Sequence, residues 1–276
     1  MNPGAEPPEH CLNPLEPFFR EAGTGPGVVC THSNASNSGQ WRGLLDLLAP
    51  KFHVLAPDAY GSGKSPEWPS DRVISLRDEV ALMEPVMARA GSPLVLVGHS
   101  YGAAIALVAA LARPDRVRAM ALYEPTLFSL IDAHSPAPNQ ADGIRGAVAA
   151  AAAALDQGQP DAAAGHFIDY WMGAGAWRQT PAQRKPAIAA SVVNVRRWAH
   201  ALVTEPTPLA AFRALDMPVL FMLGKRTTAS ARGVAELLLG VLPRAELLEF
   251  DGLGHMGPIT HADRVNSAIA NFLDRV

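Results

Sequence analysis

Cysteine is scarce in this chain of 276 residues, which contains only Cys11 and Cys30. Two thiols do not form the framework of several disulfides on which small secreted domains depend. A single bond between them is not expected, and Cys30, which lies in an apolar run, is interpreted as a small buried hydrophobe. The low thiol content fits a reducing compartment, and we expect a cytoplasmic protein.

Positive charge is not in excess either, because 23 Lys and Arg residues face 26 Asp and Glu residues and the formal net charge is −3. No basic stripe is present, which argues against a nucleic-acid partner or a basic membrane-binding surface. Apolar runs stay shorter than the roughly 18 residues of a membrane-spanning helix. Residues 1–14 lack the pattern of a signal peptide and are expected to be extended or disordered. We therefore expect neither a nucleic acid nor a membrane as a partner.

Histidine and acidic residues do not occur at the spacings of known metal sites such as H-E-x-x-H, so we expect no metal ion. The segment 61–65 (Gly-Ser-Gly-Lys-Ser) resembles the end of a phosphate-binding P-loop. The full pattern requires a further glycine where this chain has Asp58, and Pro66 follows where a helix should begin. The sequence therefore predicts no bound nucleotide and no other cofactor.

Apolar residues are plentiful, at 49% against 18% charged residues, which favours a large core of the kind found in a sheet covered on both faces. The predicted strands cover residues 28–31, 52–56, 94–97, 117–123, 218–223 and 245–250, after a strand that opens at 18–19. The predicted helices cover residues 40–48, 75–90, 101–112, 232–242 and 262–272. Residues 126–212 interrupt this alternation with a helical pattern. We predict one α/β domain with a parallel sheet, formed by 1–125 and 213–276, and a helical insertion, 126–212.

The most informative segment is Gly98-His99-Ser100-Tyr101-Gly102, which lies between an apolar strand and a run of small residues. A G-x-S-x-G pattern between a strand and a helix is typical of a nucleophile elbow, a strained turn that exposes the serine hydroxyl. Glycine is expected on both sides because strand and helix leave no room for side chains there. A Gly/Ser turn in some other α/β fold is the alternative. We predict that Ser100 is a nucleophile.

Serine is a weak nucleophile by itself, and it needs a histidine base within hydrogen-bonding reach. His255 lies in a loop after the last predicted strand, and loops at the carboxyl ends of parallel strands form the sites of such sheets. His261 begins the terminal helix and is the nearest rival. His99 points the wrong way along the elbow, and His32 and His53 are interpreted as structural. We therefore predict that His255 is the base.

Four motifs carry a resemblance to a known family: His32-Ser33-Asn34, the segment 58–65, the segment 98–102, and Gly254-His255. Together they resemble the α/β-hydrolase superfamily, in its esterase and C–C hydrolase branch with a helical cap. The resemblance implies a mostly parallel central sheet with helices on both faces, and a cap formed by residues 126–212. It also implies catalysis without a cofactor on a small-molecule substrate.

The resemblance assigns the oxyanion hole to two backbone amides, those of Asn34 and Tyr101. The family usually has glycine after the first histidine, whereas this chain has Ser33 followed by a polar run. The side chains of Asn34, Ser36 and Asn37 either add a hydrogen bond to substrate or are solvated loop residues.

The acid of the expected triad is where this sequence departs most from the family. Its usual position follows the strand 218–223 in a Gly-x-x-Asp pattern, and here residues 224–228 contain no carboxylate. Glu124 directly follows the strand 117–123, which the family's sheet order places beside the nucleophile's strand, about 4.8 Å away. Some lipases of the superfamily carry their acid there. We predict Glu124 as the acid, Asp58 being the second choice, and a water or another carboxylate being the alternative.

These assignments predict a serine hydrolase that cleaves a carboxylic ester of a small or medium apolar substrate through an acyl-enzyme. A C–C bond hydrolase acting on a diketone-like acid is one alternative, with Arg196 or Arg197 as the basic residue in its pocket. A ligand-binding member of the fold without catalysis is another. Epoxide hydrolases and dehalogenases of the superfamily use an aspartate in place of Ser100, which disfavours both reactions. The sequence leaves the oligomeric state open.

Overall fold

The computed structural model describes residues 16–276, so the predictions for residues 1–14 and for Cys11 lie outside the described part. Seven strands form one sheet. They are β1 (Phe19–Ala22), β2 (Gly27–Thr31), β3 (His53–Pro57), β4 (Leu94–His99), β5 (Val117–Tyr123), β6 (Val219–Gly224) and β7 (Ala245–Phe250). Each predicted strand has a counterpart, which confirms the interpretation of the apolar runs.

The sheet has the strand order β1-β3-β2-β4-β5-β6-β7. β1 pairs antiparallel with β3, and every other neighbouring pair is parallel. All six residues of β4 are buried, as expected for a parallel strand covered on both faces. Because β4, β5 and β6 are parallel neighbours, their carboxyl ends meet at one edge of the sheet, where ligand sites of such folds lie.

Twelve α-helices surround the sheet within residues 16–276. Those outside the insertion are α1 (Arg42–Leu48), α2 (Leu76–Ala90), α3 (Tyr101–Ala112), α10 (Ala229–Leu239), α11 (Gly257–Thr260) and α12 (Ala262–Leu273). Those of the insertion are α4 (Ser129–His134), α5 (Asp142–Asp156), α6 (Pro160–Met172), α7 (Ala176–Gln179), α8 (Lys185–Val192) and α9 (Val195–Val203). Short 3₁₀ turns occur at Ser38–Trp41, Pro114–Arg116, Ala182–Arg184 and Leu209–Ala214.

Both faces of the sheet are covered by apolar side chains, which alternate along each strand. Val95 and Val97 pack in the cluster that contains α1 and α12 residues, whereas Leu94 and Leu96 pack in the cluster that contains α2 and α3 residues. Full burial of one such side chain stabilises the fold by roughly 1.5–3 kcal/mol. The two clusters hold the strands that carry the site between helices on either side.

The segment between β5 and β6 contains helices joined by loops and, in the described residues, no strand, as the loss of alternation predicts. Its apolar side chains join the same core cluster as α2 and α3. None of the helices within residues 16–276 combines the length and apolar character needed to cross a membrane.

Helix α10 begins three residues earlier than the predicted start at 232 and ends earlier than 242. The Thr228 side chain caps its first turn by accepting a hydrogen bond from the Ala231 amide, and Gly240 follows its last residue. The capping box predicted for α2 is present, because Ser75 and Asp78 exchange hydrogen bonds between side chain and backbone.

Candidate active site

The turn between β4 and α3 holds Ser100 in a backbone conformation that is rare for a residue with a side chain, with φ of 56° and ψ of −116°. A Cβ added at Gly98 would lie 2.5 Å from the Ala103 Cα. A Cβ added at Gly102 would lie 2.3 Å from the Thr31 carbonyl oxygen. Both glycines are therefore required by the close approach of β2, β4 and α3, as expected for a nucleophile elbow.

The structure brings Ser100, His255 and Glu124 together, although they come from the ends of three different strands. His255 Nε2 lies 2.8 Å from Ser100 Oγ, and His255 Nδ1 lies 2.7 Å from Glu124 Oε2. The three residues are at most 4% exposed. A carboxylate accepts only from a protonated nitrogen, so Nδ1 carries the proton and Nε2 is left to accept the proton of the serine.

Glu124 follows β5 directly, and β5 lies between β4 and β6 in the sheet. Its Oε1 accepts a hydrogen bond of 2.7 Å from the Gly224 amide, and its Oε2 accepts one from the Thr227 hydroxyl. Its φ of 47° is uncommon for a residue with a side chain. With His255 as the third donor, both oxygens of this buried carboxylate are hydrogen-bonded, as the burial of a charge requires.

His99 contacts the backbone of His255. Its Nε2 donates a 2.8 Å hydrogen bond to the His255 carbonyl oxygen, and its Nδ1 accepts one of 3.1 Å from the Gln40 amide nitrogen. One ring nitrogen thus faces an acceptor and the other a donor, which requires the neutral ring. Burial, together with the neighbouring His255, holds the pKa of His99 well below its usual range. The ring therefore fixes the backbone of His255.

The two amides expected to form an oxyanion hole belong to Tyr101, which follows Ser100 directly, and to Asn34, in the loop after β2. Tyr101 is the first residue of α3, where an amide has no intrahelical acceptor, and Asn34 lines the same cavity as Ser100. Neither amide donates to another group within residues 16–276. In place of the family's glycine, Ser33 is held by Gln40, whose side-chain oxygen accepts from its amide and its hydroxyl at 3.2 and 3.1 Å.

Asp58, the second candidate for the acid, lies in a different turn. Its Oδ1 accepts a hydrogen bond from the Ser38 amide, and its Oδ2 accepts one of 2.9 Å from the Lys64 amide. A Cβ added at Gly63 would lie 2.1 Å from that Oδ2. The carboxylate therefore shapes the turn of the P-loop-like segment, and its oxygens bind backbone amides there instead of His255.

The arginines assigned to the alternative reaction lie outside the cavity. Arg196 pairs with Asp156, and Arg197 pairs with Glu67 at 2.9 Å; both arginines are exposed. The prediction that one of them supplies a basic group in the pocket was wrong. The reason is that α9 buries its apolar face, including Trp198, and turns its charged face to solvent.

One cavity of about 1520 Å³ adjoins Ser100 and His255 and extends between the edge of the sheet and the helical insertion. Its aromatic lining comes from Phe128, Phe167, Trp171 and Trp198. The loop after β2 contributes polar groups to the lining of the cavity, including Asn34. Within the described part of the chain, no three His, Cys, Asp or Glu side chains are grouped so that they could hold a metal ion.

Two residues at the site escaped the sequence analysis, Thr227 and Gln40, and the contact of a third residue, Trp171, with His255 was not predicted. Thr227 stands three positions after Gly224, where the family usually has its acid, and that alignment was the signal that could have identified it. The Trp171 ring stacks on the His255 ring with centroids 3.8 Å apart and planes 22° apart. Neither Trp171 nor Gln40 belongs to a local motif, because each reaches the site from a distant part of the chain.

Comparison with known proteins agrees with this fold. A family model described as the alpha/beta hydrolase fold matches residues 26–262. The lipase LipV of Mycobacterium tuberculosis is 28% identical, over 91% of this chain and 94% of that protein. A haloalkane dehalogenase of Bradyrhizobium diazoefficiens is 25% identical, over 92% of this chain and 90% of that protein.

Among solved structures, an alpha/beta hydrolase from Sphaerobacter thermophilus superposes with a TM-score of 0.70 at 25% identity. The match covers 91% of this chain and 95% of that one. Because the family model spans most of the chain and the sheet has the same architecture, this chain belongs to the alpha/beta hydrolase fold family and is a hydrolase.

Proposed function

We propose that this hydrolase is a serine carboxylesterase that cleaves esters of small or medium apolar compounds through an acyl-enzyme. The observation that carries the proposal is the pair of hydrogen bonds made by His255, to Ser100 Oγ at 2.8 Å and to Glu124 Oε2 at 2.7 Å. A nucleophile, a base and an orienting carboxylate in this order are what acyl transfer through serine requires.

The proposed reaction has two halves. Ser100 Oγ attacks the ester carbonyl carbon while its proton passes to His255 Nε2, and the oxyanion receives hydrogen bonds from the amides of Asn34 and Tyr101. The C–O bond then breaks, and the alcohol leaves with the proton from His255. Water, deprotonated by His255, attacks the acyl-enzyme, and Ser100 regains its proton as the carboxylic acid is released. Glu124 keeps the imidazole oriented and stabilises its positive charge.

The walls of the cavity support an apolar substrate. Aromatic and aliphatic side chains of the insertion form much of its lining, and its volume of about 1520 Å³ exceeds the roughly 300–1,000 Å³ of common small-molecule sites. This room favours medium over small esters. In this proposal residues 1–125 and 213–276 form the catalytic core, and residues 126–212 form the cap that covers the substrate.

The nucleophile distinguishes the proposed reaction from that of the dehalogenase relative. Members of the superfamily that cleave halides or epoxides use an aspartate at the elbow, whereas this chain has Ser100. A serine requires the base and the acid that surround it here, and the similarity to a protein named a lipase supports the same chemistry.

A fluorophosphonate probe tests the proposal directly. We expect one equivalent of label on the wild-type protein, and loss of both labelling and p-nitrophenyl ester turnover in Ser100→Ala, by on the order of 10⁴–10⁶-fold in kcat. Ser135→Ala, a serine outside the cavity, is the control and should label normally. Esters of graded acyl length should give the highest kcat/KM at medium length. Folded wild-type protein that neither labels nor turns over would favour the ligand-binding alternative.

A further inference from the structure

The face of the His255 imidazole is covered by an indole from the helical insertion. Trp171 lies near the end of α6, and its ring stacks on the His255 ring at 3.8 Å with the planes 22° apart. Trp171 is 8% exposed and is packed against Phe128 and Tyr170. The base is therefore held in plane by Glu124, through its backbone by His99, and across its face by Trp171.

A chain of hydroxyl groups anchors this end of α6 to the core. The Tyr170 hydroxyl lies 2.7 Å from Ser230 Oγ, and Ser230 Oγ lies 3.1 Å from the Thr228 hydroxyl. Ser230 is fully buried at the start of α10. Thr227, which precedes Thr228 in the chain, donates a hydrogen bond to Glu124. Residues 227–230, which run from the loop after β6 into the first turn of α10, thus contact Glu124 through Thr227 and the helix that carries Trp171 through Ser230.

We propose that Trp171 is a positioning residue for His255, and that the contact from Tyr170 to Ser230 holds it there. This inference rests on the proposed function, in which His255 moves the proton. The flat indole restricts rotation of the imidazole, keeps water from its face, and stabilises the imidazolium through the electron-rich ring while the tetrahedral intermediate exists. The cap then belongs to the catalytic machinery as well as to the substrate pocket.

Substitutions at Trp171 distinguish the effect of a flat aromatic ring from the effect of apolar volume alone. We expect Trp171→Leu, which keeps an apolar side chain, to lower kcat for the smallest ester by about 10- to 100-fold with KM changed less than about threefold. Trp171→Phe keeps a flat ring and should retain at least about a third of kcat. Trp177→Leu makes the same change at a buried tryptophan of the insertion that lies outside the cavity. It should leave kcat within about twofold when active sites are counted by fluorophosphonate titration.

The hydrogen bond between His255 and Glu124 provides a readout that does not depend on turnover. Its proton should give a far-downfield ¹H NMR resonance in the wild-type protein and in Trp171→Phe, and a broadened or absent one in Trp171→Leu. Tyr170→Phe removes only the anchoring hydroxyl and should lower kcat about three- to fivefold without a change in the folded fraction.

Two results would overturn the inference: a sharp downfield proton with wild-type kcat in Trp171→Leu, or an equal loss in Trp171→Leu and Trp177→Leu. Wild-type kcat in Tyr170→Phe would overturn the anchoring role. Failure of the proposed function is recognised separately, because wild-type protein would then not react with the fluorophosphonate, while the NMR resonance would still report how Trp171 affects His255.

Discussion

The Thr227 hydroxyl donates a hydrogen bond to Oε2 of Glu124, the same oxygen that faces His255 Nδ1. Thr227 stands where relatives with a Gly-x-x-Asp pattern have their acid, at the end of β6, and Glu124 stands at the end of the neighbouring strand β5. The carboxylate therefore approaches the base from an adjacent strand, and the residue at the usual position has become its hydrogen-bond donor.

This arrangement predicts how the acid can be removed and replaced. Glu124→Gln leaves the shape intact but presents an amide to His255 Nδ1, which disfavours the productive tautomer. We expect kcat for an activated ester to fall by on the order of 10³–10⁴-fold. Adding Thr227→Asp to that variant returns a carboxylate to the same place and should recover at least about tenfold in kcat.

Asp58→Asn is the matched control for this prediction. Its carboxylate binds backbone amides in a separate turn, so the free energy of unfolding should fall by about 1.5–3 kcal/mol while kcat per folded molecule stays near the wild-type value. Urea unfolding and active-site titration measure the two quantities. Wild-type turnover in Glu124→Gln, or its loss in folded Asp58→Asn, would show that the acid has been assigned wrongly.

The elbow glycines predict a contrast between two Gly→Ala substitutions. At Gly102 the added methyl would lie 2.3 Å from a backbone oxygen of Thr31, so Gly102→Ala should destabilise the fold by several kcal/mol or prevent soluble expression. At Gly146, in the middle of α5, nothing lies within 4 Å of the added methyl. Gly146→Ala should raise the free energy of unfolding by about 0.5–1 kcal/mol. Equal stability of the two variants in urea would contradict this account.

The buried carboxyl of Glu79, in α2 next to α3, predicts a pH dependence of the free energy of unfolding. Burial raises the pKa of Glu79 to about 7 from an ordinary 4.5, although the Tyr60 amide and the Tyr101 hydroxyl donate to it and lower the value; Asp78 raises it further. The folded protein thus binds this proton more tightly than the unfolded chain. The stabilising contribution is complete below pH 4.5 and is lost as the pH rises to about 7.

Glu79→Gln should remove that loss, because a neutral amide does not ionise. The stability of the variant relative to wild type should increase between pH 4.5 and 7 by up to about 3 kcal/mol and then level off. Urea unfolding at a series of pH values measures the difference. Parallel stability curves for the two proteins across this window would contradict the raised pKa.

Much of the fold follows from local sequence patterns. The apolar runs predicted each strand, and the capping box of Ser75 and Asp78 predicted the start of α2. Both signals are local, because side-chain alternation and capping hydrogen bonds involve only a few neighbouring residues. The start of α10 was missed because Thr228, which caps it, stands in a loop without other helix signals. Arg196 and Arg197 were placed in the pocket wrongly, because the helical spacing of Val195, Trp198 and Leu202 marks the other face of α9 as the one that meets the core.

The sequence by itself determined the turn at Ser100, because Gly98 and Gly102 allow the close approach of strand and helix that a side chain would prevent. It also determined that His255 lies in the loop after the last strand, because an apolar run precedes that loop. Only the tertiary structure placed the Glu124 carboxylate against His255 while Asp58 binds backbone amides in another turn, and it alone brought Trp171 onto His255. Those contacts depend on the order of strands in the sheet and on the docking of α6, and both are set by packing between segments far apart in the chain.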